Sequence, residues 1–346
     1  MAIEIMTDND PEPSAGNVLD LLLAFRRSQT LFAAVSLGVF DALSRGPRTT
    51  AELAAELGSN PSALERLLDA CVGLKLLVKR VDRYANTPEA DTYLTSTSPS
   101  RLTGYINYSS RVFWSLWAHL DDAVREGTHR WQQAFGWDGP IFSSFFHSQE
   151  SKHEFLMGMH GYGQISSPQV VSAFDLSGFR LLVDLGGGTG HLAIAACERY
   201  PELEAILFDL PEAAELAREI IGASPLSDRV RFIPGDFFND PLPSADLYAL
   251  GRILHDWSDD KILSLLGRVY QALSPGGAIL IAEKLLLETK DGPDLASLQD
   301  MNMLVCTEGR ERSLSEYADL LARAGFVNVQ GMTTTTPLDA ILATKT

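Results

Sequence analysis

Apolar positions change rhythm along this chain. Residues 17–43 (NVLDLLLAFRRSQTLFAAVSLGVFDAL) carry a broad apolar stripe without proline, which predicts two helices joined between Ser28 and Gly38. Residues 49–87 continue with a Thr-capped helix stopped at Gly58, a restart at Pro61, a second helix and a short hairpin from Leu77 to Asn86. That is the order of a winged helix-turn-helix. Between Arg101 and Phe174 the segments read as helical and aromatic-rich, including YINYSSRVFWSLWAHL and the stretch from Ile141 to Gly163.

From Phe179 short β runs alternate with amphipathic helices. LLVDL, AILFDL, VRFI, ADLYAL, AILIAE, VNVQ and LDAILATK predict seven strands, and residues 189–199, 211–221, 258–273 and 313–324 predict connecting helices. The expected fold class is α/β: a doubly wound, Rossmann-like, seven-stranded domain over residues 175–346. A mostly helical, winged-helix-like domain over residues 17–174 precedes it, and residues 1–16, polar and Pro-containing, should be loosely ordered. Ligands of such sheets bind at the carboxyl ends of the strands, so the chemistry is sought there.

The 346 residues fit two domains at about 150 residues each. With 45% apolar and 21% charged residues the chain can build sizeable cores. Asp plus Glu number 45 against 28 Lys plus Arg, and a net charge of −17 disfavours nucleic-acid and anionic-membrane partners alike. MAIEIMTDND lacks the pattern of a signal peptide and no run of about 18 apolar residues occurs, so a cytoplasmic location without a membrane span is expected. Cys71, Cys197 and Cys306 form no CxxC pair, which leaves no disulfide framework and no thiolate zinc site.

The first strand of the α/β half runs into Asp184-Leu185-Gly186-Gly187-Gly188-Thr189-Gly190. Glycines at 186, 188 and 190 allow positive φ and let a ligand touch the backbone. The spacing is GxGxG rather than GxGxxG, and His191 stands where the dinucleotide fingerprint has Gly or Ala. No Lys or Arg lies in the loop, which favours a phosphate-free nucleoside cofactor. Asp209, nineteen residues after Gly190 and closing the second strand, is placed to accept ribose hydroxyls; its alternative is to cap the Pro211 helix. Gly235-Asp236-Phe237-Phe238 after the third strand offers a ring to the face of an adenine and a carboxylate to its edge; a purely structural loop is equally open.

The fourth strand ends in Gly251-Arg252-Ile253-Leu254-His255-Asp256-Trp257, where a His beyond the sheet edge is placed for general-base work. Glu283, closing the neighbouring strand, is the first candidate to orient that imidazole, and Glu311 the second. A metal reading of His153 and His160 fails, because seven residues of helix separate them by about 10.5 Å at 1.5 Å per residue. No metal is expected.

At these residues the chain resembles the S-adenosylmethionine-dependent small-molecule O-methyltransferases, most closely the acetylserotonin O-methyltransferases and the methyltransferase domain of the acetylserotonin O-methyltransferase-like proteins. The likeness runs from Asn17 to Lys345 and includes DLGGGTG, GDFFNDPLPSADLY, RILHDWSDDK and NMLVCTEGRERSLSEY. It implies a cofactor site of Asp184, Gly186, Gly188, Asp209, Leu210, Gly235, Asp236, Phe237 and Arg252 for S-adenosyl-L-methionine and its product S-adenosyl-L-homocysteine. It implies His255 as the base for attack on the sulfonium methyl, with Glu283 and Glu311 beside it. Met159, Tyr162, Asp256, Asn302 and Cys306 fall at positions of the pocket for an aromatic hydroxylated acceptor, and the N-terminal helices imply a homodimer. Cys306 stands where the acetylserotonin enzymes have Gln, and Gly163 where they have Trp, so an enlarged, less polar acceptor pocket is expected.

Three other readings compete. Lys75, Lys79, Arg80 and Arg83 cluster on the expected wing of a DNA-binding module, although residues 47–95 hold six basic against seven acidic side chains. A nicotinamide dehydrogenase lacks its third glycine. A family member that binds the cofactor but is non-catalytic, or that methylates a non-hydroxyl acceptor, is the remaining alternative.

Overall fold

The computed structural model describes residues 15–139 and 149–346. The expectation for residues 1–14, and the helical expectation over 141–148, lie outside the described residues. The chain divides into two compact units that meet between Thr95 and Ser96, not at 174/175 as the sequence patterning indicated.

The first unit holds helices α1 (Gly16–Ser36), α2 (Val39–Leu43), α3 (Thr50–Leu57), α4 (Pro61–Gly73) and α5 (Pro88–Tyr93), with a small antiparallel sheet of β1 (Arg48–Thr49), β3 (Arg83–Asn86) and β2 (Leu77–Arg80) in that order. Thr49 and Glu52 form a reciprocal capping box on α3, Gly58 closes that helix at φ +60°, and Asn60 caps α4 by accepting from the Ala63 N–H. The break between the first two helices falls at Leu37 and Gly38, the far end of the expected range, because Gly38 adopts φ +76° without steric cost. Of the wing's basic residues, Lys79 pairs with Asp69 at 2.7 Å and Arg83 with Glu52 at 3.2 Å. This local neutralisation weakens the case for a phosphate-binding wing.

The second unit is built on seven strands: β4 (Leu181–Leu185), β5 (Glu204–Asp209), β6 (Val230–Pro234), β7 (Ala245–Gly251), β8 (Leu273–Glu283), β9 (Val327–Met332) and β10 (Asp339–Thr344). Their order is β6-β5-β4-β7-β8-β10-β9; β10 runs antiparallel to both of its neighbours, and the pairs among β4 to β8 are parallel. Period-2 alternation sends Val183, Leu185, Tyr248 and Leu250 into one apolar layer and Leu182, Leu247, Ala249 and Leu280 into the other. Both faces of the central strands are therefore buried, which is why these strands read as unbroken apolar runs.

Helices α6 (Thr103–Tyr108), α7 (Trp114–Trp117), α8 (Leu120–Glu126), α9 (Trp131–Phe135) and α10 (Gln149–Ser172) belong to this same unit, with one π-type turn at Ser109–Phe113 between α6 and α7. Val170 and Val171 of α10 enter the apolar layer beneath the sheet. Tyr108, Leu116, Ala123 and Trp131 bury against Val305 and Cys306 of α14 (Asp294–Cys306). These contacts are what move the unit boundary to residue 95. They also bury Tyr108 and Leu116 of the aromatic run, while Trp114 stays exposed. The remaining helices are α11 (His191–Arg199), α12 (Ala214–Ala223), α13 (Asp259–Ala272) and α15 (Leu314–Arg323). No helix among the described residues is long and apolar enough to cross a membrane.

Candidate active site

Strand order reverses at β4, and the carboxyl ends of β4, β5 and β7 open there into a cavity of about 250 Å³. Gly186, Gly188 and Gly190 take φ +70°, +60° and +82°, so the turn is available only to glycine without strain. A Cβ at Gly186 would meet Ile253 Cδ1 at 2.5 Å, and one at Gly187 would fall on the Asp184 carboxylate. Asp184 is buried; one carboxylate oxygen accepts from Ala193 N–H at 3.2 Å and the other has no partner among the described residues. Burial pushes this carboxyl up to about 7.

Asp209 accepts from the Gly188 N–H and the Leu210 N–H, each at 2.6 Å, and burial raises its carboxyl to about 6. It does not cap the Pro211 turn, so that alternative falls away; it fastens the glycine turn instead. Asp236 is held by the Phe238 N–H at 2.8 Å and the Asn239 amide at 2.6 Å, with Phe237 next to it on the wall. Gly235 lies outside the lining: a Cβ there would overlap the Phe208 ring, so this glycine serves core packing. Arg252 lines the cavity in a left-handed backbone conformation, φ +57°, and its guanidinium lies 4.9 Å from the Tyr162 ring centre.

His255 sits in a short 3₁₀ turn, Leu254–Asp256, just past β7, and is buried. Its Nδ1 lies 2.7 Å from Glu311 Oε1 and 3.2 Å from Glu283 Oε2. The expected ranking of the two acids is thus reversed. Glu283 spends Oε1 on the backbone, accepting from the N–H groups of Ile253, Leu254 and His255 at 3.0, 3.0 and 3.4 Å, and so fixes the turn that carries the imidazole. Glu311 fixes the ring. Burial pushes Glu311 up to about 8, Asp256 to about 7, and Glu283 upward as well. In the tautomer whose Nδ1 donates to Glu311, the neutral ring leaves Nε2 as the free acceptor; Asp256 Oδ1 is 3.8 Å from it. His255, Glu283 and Glu311 also bring ligand-type atoms within 4.8 Å of one another, and hydrogen bonding already accounts for that clustering.

The opposite wall is helical. Met159 of α10 and Asn302, Met303 and Cys306 of α14 line it, together with Phe113 and Phe155. Asn302 and Cys306 share a face as their i, i+4 spacing requires, with Sγ 3.7 Å from Oδ1, and the Trp117 indole N–H donates to the same oxygen at 2.9 Å. Both hydrogens of the Asn302 amide are thereby left for other partners. Two expectations need correction. Tyr162 does not line the cavity; its ring packs on Arg252 and, at 5.0 Å, on Tyr105. Gly163 does not widen the acceptor side, because its open face is filled by the His191 ring. Phe113, Phe155, Trp117 and His191 are wall or wall-supporting residues that sequence reasoning missed, although the aromatic run at 105–120 was the available signal for two of them.

Comparison with known proteins agrees with this geometry. An O-methyltransferase domain matches residues 117–327 and an O-methyltransferase dimerisation domain matches residues 19–96. Acetylserotonin O-methyltransferase of Bos taurus is 44% identical over 93% of this chain and 95% of its own length. A human probable bifunctional dTTP/UTP pyrophosphatase/methyltransferase protein is 41% identical over 96% of this chain, which spans 54% of that longer protein. Human N-acetylserotonin methyltransferase, solved in complex with SAM, superposes with a TM-score of 0.91 at 40% identity, covering 98% of this chain and 99% of that one.

Proposed function

Since the chain belongs to the O-methyltransferase family, we propose that it uses S-adenosyl-L-methionine to methylate a hydroxyl of a flat aromatic acceptor of the hydroxyindole or phenol type, with His255 as the base. The observation that carries this reading is the His255–Glu311 contact of 2.7 Å at the edge of a cavity floored by the glycine turn. An oriented base with a free Nε2 gives no support to a non-catalytic member of the family.

The residues present fit that cofactor. A Cβ on Gly188 would meet nothing closer than Leu156 Cδ2 at 3.7 Å, so the turn offers bare backbone to the cavity there; Asp184 keeps one buried oxygen unpartnered, and Asp209 is pinned by two backbone N–H groups with lone pairs to spare. Asp209 and Leu210 would hold the ribose, Asp236 and Phe237 the adenine, and Asp184, Gly186 and Gly188 the amino-acid end, with Arg252 alongside. When bound, S-adenosylmethionine supplies an electrophilic methyl group. A phenolic hydroxyl lies about 3.5 pKa units above free imidazole, so prior deprotonation would cost about 5 kcal/mol. His255 therefore takes the proton at Nε2 as the new bond forms, and Glu311 stabilises the imidazolium through Nδ1. Phe113, Phe155 and Met159 exclude water from the acceptor, while Asp256 and Asn302 orient it.

Two coarser features support a homodimer. The first unit matches a dimerisation domain, and the opening turns of α1 leave Val18, Leu21 and Leu22 more than 60% exposed. The three cysteines are buried and unpaired, as suits a reducing compartment such as the cytoplasm.

Labelled S-adenosylmethionine, incubated with the protein and a panel of hydroxyindoles, phenols and hydroxylated polyketides, should transfer label to a hydroxyl oxygen without added metal. Transfer only to amines, or to nothing in the panel, would overturn the reading.

A further inference from the structure

His191 is the first residue of α11 and lines the cavity directly after the glycine turn. A Cβ built on Gly163 of α10 would fall on Cε1, Nε2 and Nδ1 of this imidazole almost equally, so the face of the ring fills the place of a side chain at 163. The ring is also held at one nitrogen. Nδ1 lies 2.9 Å from Ser167 Oγ, one turn further along α10. On the same helix Ser166 and Ser172 give their hydroxyl protons to the Tyr162 and Gln169 carbonyls. Ser167 has no such carbonyl partner among the described residues, which leaves Nδ1 as the acceptor for its proton. In the neutral ring the hydrogen then sits on Nε2. Burial, with His160 and Arg252 nearby, holds the group down to about 3, so this donor does not titrate near neutral pH.

The rest of the cavity is acidic. Asp184, Asp209, Asp236 and Asp256 all line it, whereas His191, at the N-terminal end of a nine-residue helix, and Arg252 are the groups suited to an anion. A zwitterionic amino-acid tail has one end for each kind of group. Its ammonium suits Asp184, whose second oxygen is unpartnered, and its carboxylate needs a donor on the same side of the turn. Resting on the cofactor reading above, we infer that His191 binds the carboxylate of the cofactor's amino-acid tail through Nε2–H, with Ser167 fixing the tautomer and Gly163 providing the space.

Two ligands separate this from a general effect on the site: S-adenosylhomocysteine, which has the tail, and 5′-methylthioadenosine, which lacks it. By calorimetry His191→Ala should weaken S-adenosylhomocysteine about ten- to hundredfold, the range for a lost hydrogen bond to a charged group, and change 5′-methylthioadenosine by less than about twofold. His191→Gln, which keeps an N–H donor of similar reach, should recover part of the loss, and Ser167→Ala should fall between the two. Equal S-adenosylhomocysteine affinity in wild type and His191→Ala, or an equal loss for both ligands, overturns the inference while leaving the cofactor site standing. A wild-type protein that binds neither ligand overturns the cofactor reading itself.

Discussion

The strand-end wall of the cavity and its helical wall are assembled differently. Asp184 to Gly190, Asp209 to Leu210, Asp236 to Phe237 and Arg252 to Asp256 each sit within a few residues of a strand terminus, and parallel pairing of β4 with β5 and β7, and of β5 with β6, brings those termini together. On the helical wall Trp117 reaches Asn302 across 185 residues of sequence, and Phe113 and Phe155 come from segments on either side of residues outside the described structure. The first wall is specified by backbone geometry and the second by side-chain packing. Changes on the first should therefore have large effects on the cofactor and the chemistry, and changes on the second should redirect the acceptor.

The strongest test of the strand-end wall is His255. General-base catalysis contributes about 10² to 10⁴-fold, so His255→Ala should lose that much turnover while binding S-adenosylhomocysteine as the wild type does. Glu311→Gln should reduce turnover less, because the amide keeps a hydrogen-bonding group beside Nδ1 while losing the carboxylate that stabilises the imidazolium. Activity of His255→Ala at the wild-type rate from pH 6 to 9 would remove the base from the mechanism.

Asp209→Ala comes next in size. Losing a charged acceptor should weaken S-adenosylhomocysteine by about 1.5 to 3 kcal/mol, roughly ten- to hundredfold, and it also strips the Gly188 N–H of its partner. Unchanged calorimetric affinity would show that the glycine turn holds the cofactor without it.

How much of this was legible in the sequence follows the same division. Glu311 lies in the polar stretch 308–312 and stands out through the family likeness instead, whereas the seven strands, the glycine turn, His255 and Glu283 could be read because each lies in a short apolar run or immediately after one. The order of the acids could not, since Glu283 is turned toward three backbone N–H groups by the local path of Ile253 to His255, a feature no spacing encodes. The division into compact units at residue 95 is illegible for a related reason. Helical periodicity in residues 103–172 is the same whether the apolar stripe faces the first unit or the sheet, and only the packing of Val170, Val171 and Leu116 decides it. Position alone points Tyr162 and Gly163 toward the acceptor, whereas the Tyr162 ring packs on Arg252 and the His191 ring fills the space at Gly163.

A smaller effect concerns pH and stability, and again separates the walls. Burial lifts Asp184 and Asp256 to about 7 and Asp209 to about 6 from 3.8, all on the strand-end wall. An acid with a raised folded pKa binds its proton more tightly when folded, so its contribution is full below the unfolded value and lost as pH rises through the folded one. Unfolding free energy should fall between pH 5 and pH 8, a window above the titration of surface acids such as Glu316, which is lowered to about 2. Denaturant titrations at both ends of that window should show it. A flat or rising profile would mean that these acids are not held protonated in the fold.

The smallest effect, and the sharpest for the helical wall, is at Cys306. Its thiol is buried, pushed well above its ordinary pKa by burial, and lies against the oxygen of Asn302, which the Trp117 indole also occupies. The Asn302 amide can therefore only donate to an acceptor molecule, and the thiol beside it behaves mostly as a small hydrophobe. An acylated amine presents both a carbonyl and an N–H. Asn302 satisfies the first and nothing at 306 satisfies the second, so N-acetylserotonin should be a poor acceptor beside flat aromatics that lack the side-chain amide. Cys306→Gln supplies the missing acceptor oxygen, and one neutral hydrogen bond, worth about 0.5 to 1.5 kcal/mol, should raise kcat/KM for N-acetylserotonin about two- to tenfold. Because Gly163 opens toward His191 and adds no space on this side, the longer glutamine has to fit beside Met303 and Phe113, and affinity for S-adenosylhomocysteine should stay unchanged. Wild-type turnover of N-acetylserotonin at about 10⁴ M⁻¹s⁻¹ or more, with no gain in the variant, would show that residue 306 does not govern which acceptor the helical wall admits.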